Sequence, residues 1–221
     1  MTVLSFLACA AVLFDSDGVL VDSDDSVRFA WTRWATTYGL SPDEVLPMVH
    51  GRRSIETVRL LIDGSLRSEA LAMIDRFELE DAVRVAVMPG ADALVRSIPR
   101  DRWAVITSAV TALARARLSA ARLPDPPVLV AAEDVVNGKP DPGGYLAAAK
   151  ATHASPADAV VLEDSAAGVQ AARLAGVKYV VGVGERALDT DADVVVQDLR
   201  ALNWDMNGLT VKTAIRDGSQ R

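Results

Sequence analysis

With 221 residues, half of them apolar, the chain can build one large domain, or one domain carrying an insertion, around a sizeable core. Its 30 acidic and 23 basic side chains leave a formal charge of −7 with no basic run. That argues against nucleic-acid binding and means that any anionic ligand must be held by local groups. A single cysteine rules out an internal disulfide framework and fits a cytoplasmic protein.

The first predicted element is the apolar run Ala10–Phe14, read as a strand that delivers Asp15 and Asp17, after which Gly18 turns the chain. In an extended segment residues i and i+2 point to the same side, so the two carboxylates face one small space. Their repulsion calls for a shared proton, a bound cation or both, which suits chemistry in which one acid attacks and the other moves protons. Asp-x-Asp-Gly also opens turns and calcium loops. Counted from Asp15, however, the twelfth position is Ser26 instead of Glu, and a strand precedes the motif. Cys9, beside this strand, reads as inert core. Met1–Phe14 lacks the basic start of a secretion signal, and no stretch reaches the roughly 18 apolar residues of a membrane-spanning helix.

From Asp24 to Val87 the pattern is helical. Val27, Ala30, Trp31 and Trp34 recur at helical spacing, with Gly39 as a stop, and the two tryptophans read as helix core. Ser41-Pro42-Asp43-Glu44 predicts a helix start closed by a capping box. Ser54 is the expected cap of a further helix, and an amphipathic stretch runs from Arg67 to Val87 before Met88-Pro89-Gly90 breaks it.

Beyond that break, strand-like runs at Trp103–Thr107, Val128–Ala131, Ala159–Leu162 and Tyr179–Val183 alternate with helical stretches near 91–97, 110–121, 142–152 and 166–175. Such alternation predicts an α/β fold, a doubly wound parallel sheet of Rossmann-like type. The expected domains are a core of residues 1–22 and 89–202 and a small inserted α-helical cap of residues 23–88. Asp193–Val196 is a candidate last strand, and 203–221 reads as a polar C-terminal tail. Val21–Ser23 and Met88–Gly90 are the crossings about which the cap would move.

Ligands of open α/β sheets bind beyond the carboxyl ends of the strands. Those ends carry Asp15 and Asp17; Ser108; Glu133, Asn137 and Lys139; and Glu163 and Asp164. Singly, Ser108 could cap a helix, Lys139 could be a turn lysine, and the acids could serve helix starts. Together they describe an acidic cation site beside a phosphoryl site.

Asp15-Ser16-Asp17-Gly18-Val19-Leu20-Val21-Asp22-Ser23, Thr107-Ser108, Gly138-Lys139-Pro140-Asp141-Pro142 and Glu163-Asp164-Ser165-Ala166-Ala167-Gly168 resemble the four motifs of the haloacid dehalogenase-like hydrolases, in their order and spacing. The resemblance covers about residues 10 to 200 and points to the small-helical-cap subfamily of β-phosphoglucomutases and of glycerol-3-phosphate and sugar-phosphate phosphatases. It implies that Asp15 attacks phosphorus and that Asp17 protonates the leaving alcohol and then activates water. Ser108 and the amide of Ala109 would hold phosphate oxygens, and Lys139 would steady Asp15 and the phosphate. Mg²⁺ would be bound by Asp15, the Asp17 carbonyl and Asp164, with Glu163 close by or through water. His50-Gly51-Arg52-Arg53-Ser54 resembles the cap motif that selects substrate, so His50, Arg52 and Arg53, with Asn137 from below, are the candidate substrate contacts.

Asp17 argues against a dehalogenase, which lacks the second acid. The absence of lysine before Lys139 argues against a phosphonate hydrolase, which needs a cap lysine. Mutases of the family carry His ten residues after the acid/base Asp, where this chain has Val27. The expectation is therefore a Mg²⁺-dependent phosphomonoesterase for a small sugar or polyol phosphate, monomeric or weakly dimeric. A mutase is the alternative, and a non-catalytic binding protein on the same fold is the second.

Overall fold

The computed structural model describes residues 5–217. The chain opens with strands β1 (Ser5–Ala8) and β2 (Ala11–Asp15), then β3 (Val21–Asp22). Four helices follow: α1 (Asp24–Thr37), α2 (Pro42–Val45), α3 (Ser54–Leu61) and α4 (Arg67–Asp81). Then come β4 (Ala86–Val87), α5 (Ala91–Ser97), β5 (Trp103–Ile106), α6 (Thr111–Ala120), β6 (Leu129–Val130), α7 (Gly143–Ala151), β7 (Ala159–Glu163), α8 (Ala166–Leu174), β8 (Tyr179–Val183) and β9 (Val194–Val196). The chain ends in β10 (Leu202–Asp205), β11 (Gly208–Val211) and β12 (Arg216–Asp217).

Seven strands form the main sheet in the order β12-β9-β8-β7-β2-β5-β6, parallel except for β12. β2 is buried throughout, and its side chains divide by the two-residue period of a strand. Val12 and Phe14 join one core with Val105, Leu162 and Val181, whereas Ala11 and Leu13 join the opposite core with Ala104, Val161 and Val180. A sheet covered on both faces explains the unbroken apolar runs of its strands. The chain builds outward from β2 to β5 and β6, then returns to its other side for β7, β8 and β9. This reversal opens a crevice at the carboxyl end of β2, where Asp15 stands.

α1 to α4 have a third core of their own. Trp31 and Trp34 meet edge to face with centroids 5.1 Å apart, and Trp34 Nε1 donates to the Ala70 carbonyl at 2.8 Å. The two chains that enter and leave this block pair as a short ribbon, Val21 against Val87 and Asp22 against Ala86. The Met88–Gly90 crossing is fastened to the sheet layer. Met88 N donates to Leu20 O, Leu199 N donates to Pro89 O, and a Cβ at Gly90 would lie 2.3 Å from Arg200 N.

Three local expectations are corrected. Ser41 makes no side-chain cap, so Glu44 closes no capping box. The residue that caps α3 is Arg53, and Ser54 is the first helical residue, its hydroxyl donating to Glu78 Oε2 at 2.9 Å. The supposed tail is folded as far as it is described: β10 and β11 form a hairpin that pairs with β1, burying Leu209 and Val211; residues 218–221 lie outside the described residues. A Cβ at Gly208 would stand 2.3 Å from Leu7 O, so the close approach of β1 requires glycine there. Cys9 is buried at this junction, and burial pushes its thiol up to about 11, which keeps it protonated and unreactive at neutral pH. His153 is exposed. Among the described residues no helix is long and apolar enough to cross a membrane.

Candidate active site

β2, β5 and β7 run parallel in neighbouring positions, so the residues at their carboxyl ends meet. Asp15 closes β2 and is 6% exposed. Lys139 Nζ donates to Asp15 Oδ1 and to Glu163 Oε1. Burial alone would lower Lys139, but the two carboxylates against it hold it well above its usual value, so the ammonium stays charged. Burial drives Asp15 the other way, upward, against the pull of Lys139 and with the push of Glu163 and Asp164.

Glu163 is fully buried at the end of β7. Its Oε1 also accepts from the Tyr145 hydroxyl at 3.0 Å, and its Oε2 accepts from the amide and hydroxyl of Ser165, both at 2.9 Å. A Cβ on Gly168 would fall 1.6 Å from Glu163 Oε1, so only glycine lets the first turn of α8 cover this acid. With both oxygens engaged, Glu163 anchors Lys139 and leaves little for direct coordination of a cation.

Asp15, Glu163 and Asp164 each place a carboxylate oxygen within 4.8 Å of the others, all three buried. A compact set of hard oxygen donors fits a small divalent cation. Asp164 Oδ2 accepts from Arg186 Nη2 at 2.7 Å and Nε at 3.0 Å, and lies 3.0 Å from His50 Nε2. These contacts, with burial opposing them, keep Asp164 below its ordinary value and ionised. Gly18, at φ +82°, carries the turn between Asp17 and the rest of the chain, and a Cβ there would stand 2.1 Å from Asp164 Oδ2.

Asp17 Oδ1 accepts from Arg117 Nη1 at 3.0 Å. Arg117, on α6, has a side chain only 3% exposed and also donates to Glu78 Oε1 of α4 at 3.3 Å. The candidate residues on the facing helical block divide. His50 and Arg52 line the cavity that holds Asp15 and Asp17. Arg53 does not reach into it: its guanidinium is spent on Glu56 and on the carbonyls of Ala132, Val135 and Val136, clamping the block to the loop after β6. Asn137 is exposed and donates to Asp141 Oδ2 at 3.3 Å, away from that cavity. The Ser108 hydroxyl donates to Gly51 O at 3.2 Å, and the Ala109 amide donates to Thr107 Oγ1 at 3.0 Å. A bound anion would have to take over both donors. Glu133 accepts from the Thr111 amide and so serves the start of α6.

Arg117, Glu78, Arg186 and Tyr145 were not among the sequence candidates. For two of them a signal existed. Arg117 falls on the buried stripe of Leu113, Ala114 and Leu118, and Glu78 on that of Ile74 and Phe77. A charge on the apolar face of a helix must have a partner there. Arg186 and Tyr145 lie in segments with no such mark.

A profile of the haloacid dehalogenase-like hydrolases matches residues 9–176. The chain is 38% identical to hexitol phosphatase A of Escherichia coli (strain K12) over 205 residues, covering 89% of this chain and 94% of that one. It is 34% identical to validoxylamine A 7'-phosphate phosphatase of Streptomyces hygroscopicus subsp. limoneus, covering 87% and 95%. Among solved structures, the β-phosphoglucomutase of Clostridium difficile superposes with a TM-score of 0.76 at 20% identity, covering 86% and 92%. At that identity the match shows the fold alone.

Proposed function

The chain belongs to the haloacid dehalogenase-like hydrolases, and from that premise we propose that it is a Mg²⁺-dependent phosphatase for a small sugar or polyol phosphate. The observation that carries the reading is the buried contact of Lys139 with Asp15 beside Asp164, with Asp17 two residues along the chain. One carboxylate is thereby held in place as a nucleophile with an ammonium opposing its charge, and a second acid stands next to it to move protons. The names of the two curated relatives support a polyol or sugar phosphate as substrate.

In the first half-reaction Asp15 attacks phosphorus, the bond from phosphorus to the ester oxygen breaks, and Asp17 gives its proton to the departing alkoxide. In the second, Asp17 takes a proton from water, whose oxygen attacks the aspartyl-phosphate and frees Asp15 and inorganic phosphate. Lys139, Ser108 and the Ala109 amide neutralise and orient the phosphoryl oxygens. Asp15 and Asp164, with the Asp17 carbonyl, would hold Mg²⁺, which supplies charge compensation for a dianionic ester among acids. His50 and Arg52 face the alcohol portion of the substrate from the 23–88 cap.

A mutase must return phosphate to sugar, and the place of its extra histidine is taken by Val27, an apolar side chain in the cavity wall. Hydrolysis is favoured. The free, buried Cys9 supports a cytoplasmic location. The test is phosphate release from a panel of sugar and polyol phosphates with Mg²⁺ and with EDTA. Turnover of at least one polyol or hexose phosphate, lost in EDTA, is the expected result; no turnover of any, or turnover indifferent to EDTA, refutes the reading.

A further inference from the structure

One hydrogen-bonded chain leads from the helical block to the proton-transferring acid. Ser54 Oγ donates to Glu78 Oε2 at 2.9 Å, Arg117 Nη2 donates to Glu78 Oε1 at 3.3 Å, and Arg117 Nη1 donates to Asp17 Oδ1 at 3.0 Å. Its members come from α3, α4, α6 and the turn after β2. Arg117 and Glu78 have side chains 3% and 7% exposed, so neither is a solvated surface ion.

We infer that Arg117 is the positioning residue for Asp17, buttressed from the cap by Glu78, so that the acid is aligned for proton transfer only while the cap is docked. The inference rests on the phosphatase reading above. A carboxylate on a flexible turn can present either oxygen in many orientations, and general acid catalysis tolerates little misplacement. Arg117 engages Oδ1, leaving Oδ2 as the oxygen that carries the proton. A guanidinium suits this task because its planar fork reaches two carboxylates at fixed angles, which an ammonium does not. Arg117 touches neither Asp15 nor Asp164 among the contacts described, so its effect on turnover would pass through Asp17.

The leaving group separates this role from a merely structural one. An alkoxide must be protonated as it departs, whereas p-nitrophenolate need not be. Single-turnover phosphorylation by a hexitol 6-phosphate and by p-nitrophenyl phosphate, both with Mg²⁺, is compared in Arg117→Met, Arg117→Lys, Glu78→Gln and Asp17→Asn, each checked for folding by thermal melt. Arg117→Met is expected to slow the hexitol phosphate about 100-fold and p-nitrophenyl phosphate less than about 5-fold, with KM for either within about 3-fold. Arg117→Lys recovers about tenfold of that loss, and Glu78→Gln shows a smaller loss with the same leaving-group bias. Adding Arg117→Met to Asp17→Asn costs nothing further. Equal losses on both esters, a further loss in the Asp17→Asn background, or a raised KM at unchanged kcat overturns the inference. If Arg117→Met does not fold, Arg117→Lys and Glu78→Gln carry the same comparison. A wild-type protein that turns over neither ester overturns the phosphatase reading, and the positioning role with it.

Discussion

Lys139 Nζ lies against Oδ1 of Asp15 with both side chains more than nine-tenths buried, and the ammonium is simultaneously held by Glu163. The lysine is thus fixed from behind by Glu163, and its charge is aimed at the proposed nucleophile. Lys139→Met is expected to lower kcat by roughly 10²–10³-fold, the range seen when one preorganised charge-stabilising donor is lost. Because the substitution leaves Asp15 and Glu163 facing each other unscreened, the melting temperature should fall as well. Tyr145→Phe, which leaves Glu163 its contacts with Lys139 and Ser165, should cost less than tenfold. Steady-state kinetics with thermal melts of the two variants checks the ordering.

Asp15→Asn removes the proposed attacking group while preserving shape, and turnover should vanish in a folded protein. On the same proposal, Asp17→Asn leaves the nucleophile intact but withdraws the proton carrier from both half-reactions, and should slow each of them. Intact-protein mass spectrometry of acid-quenched wild type turning over substrate should show a phosphoryl adduct that maps to Asp15 and is absent from Asp15→Asn. An adduct on any other residue would contradict the assignment.

Trp34 is fully buried among α1, α3 and α4, packed on Trp31 and Tyr38 and hydrogen-bonded to Ala70 O. Trp34→Ala should cost about 3–5 kcal/mol, the range for removing a large aromatic core residue. The core of α1 to α4 is separate from the two sheet cores. The loss should therefore appear as early unfolding of residues 24–81 in hydrogen exchange, while β2, β5 and β7 keep their protection.

The parallel sheet was legible because each central strand is an unbroken apolar run flanked by helical periodicity; Asp15, Ser108 and Asp164 stand at or just beyond strand ends, and Lys139 on the loop after β6, so their nearness to one another followed from the sheet order. What escaped is instructive. Leu202-Asn203-Trp204 and Leu209-Thr210-Val211 do alternate in period two around the Met206-Asn207 turn, but each run is too short to outweigh the polar residues beside it. Arg53 and Asn137 sit in the right segments, yet their side chains turn to Glu56 and Asp141, a choice decided by tertiary neighbours and invisible in spacing. Arg117 stands nine residues beyond Ser108, outside every motif, and its one mark in the sequence is a charge on the buried face of α6.

Mg²⁺ should stabilise the protein as well as activate it. The acids at Asp15 and Asp164 crowd one buried space, and a cation bound only by the folded state adds about 2.7 kcal/mol at a hundredfold excess over Kd. For a chain of this size that corresponds to a rise in Tm of roughly 5–10 °C. Asp164→Asn should abolish the rise. Calorimetric scans with and without Mg²⁺ decide the point, and a wild-type Tm indifferent to Mg²⁺ would contradict the site.

Asp75, on α4, illustrates a charge kept at a cost. It borders a cavity of about 200 Å³ between the helical block and the sheet, together with Glu78 and Glu133. Burial first, then repulsion from Glu78 and Glu133, pushes its carboxyl up from 3.8 to about 6. A folded-state value above the unfolded one means that the folded protein binds the extra proton between those limits. The contribution is therefore favourable below about pH 4 and is lost as pH rises through about 6. Asp75→Asn removes the charge that is disfavoured at neutrality, so at pH 7.5 the variant should melt higher by about 2 °C, a modest figure because half the group is open to screening solvent. At pH 4 the two proteins should melt together, since Asp75 is then protonated in the wild type. A variant that is less stable at pH 7.5, or equally more stable at both pH values, would show that the acid makes a favourable contact there and that repulsion is not what raises it.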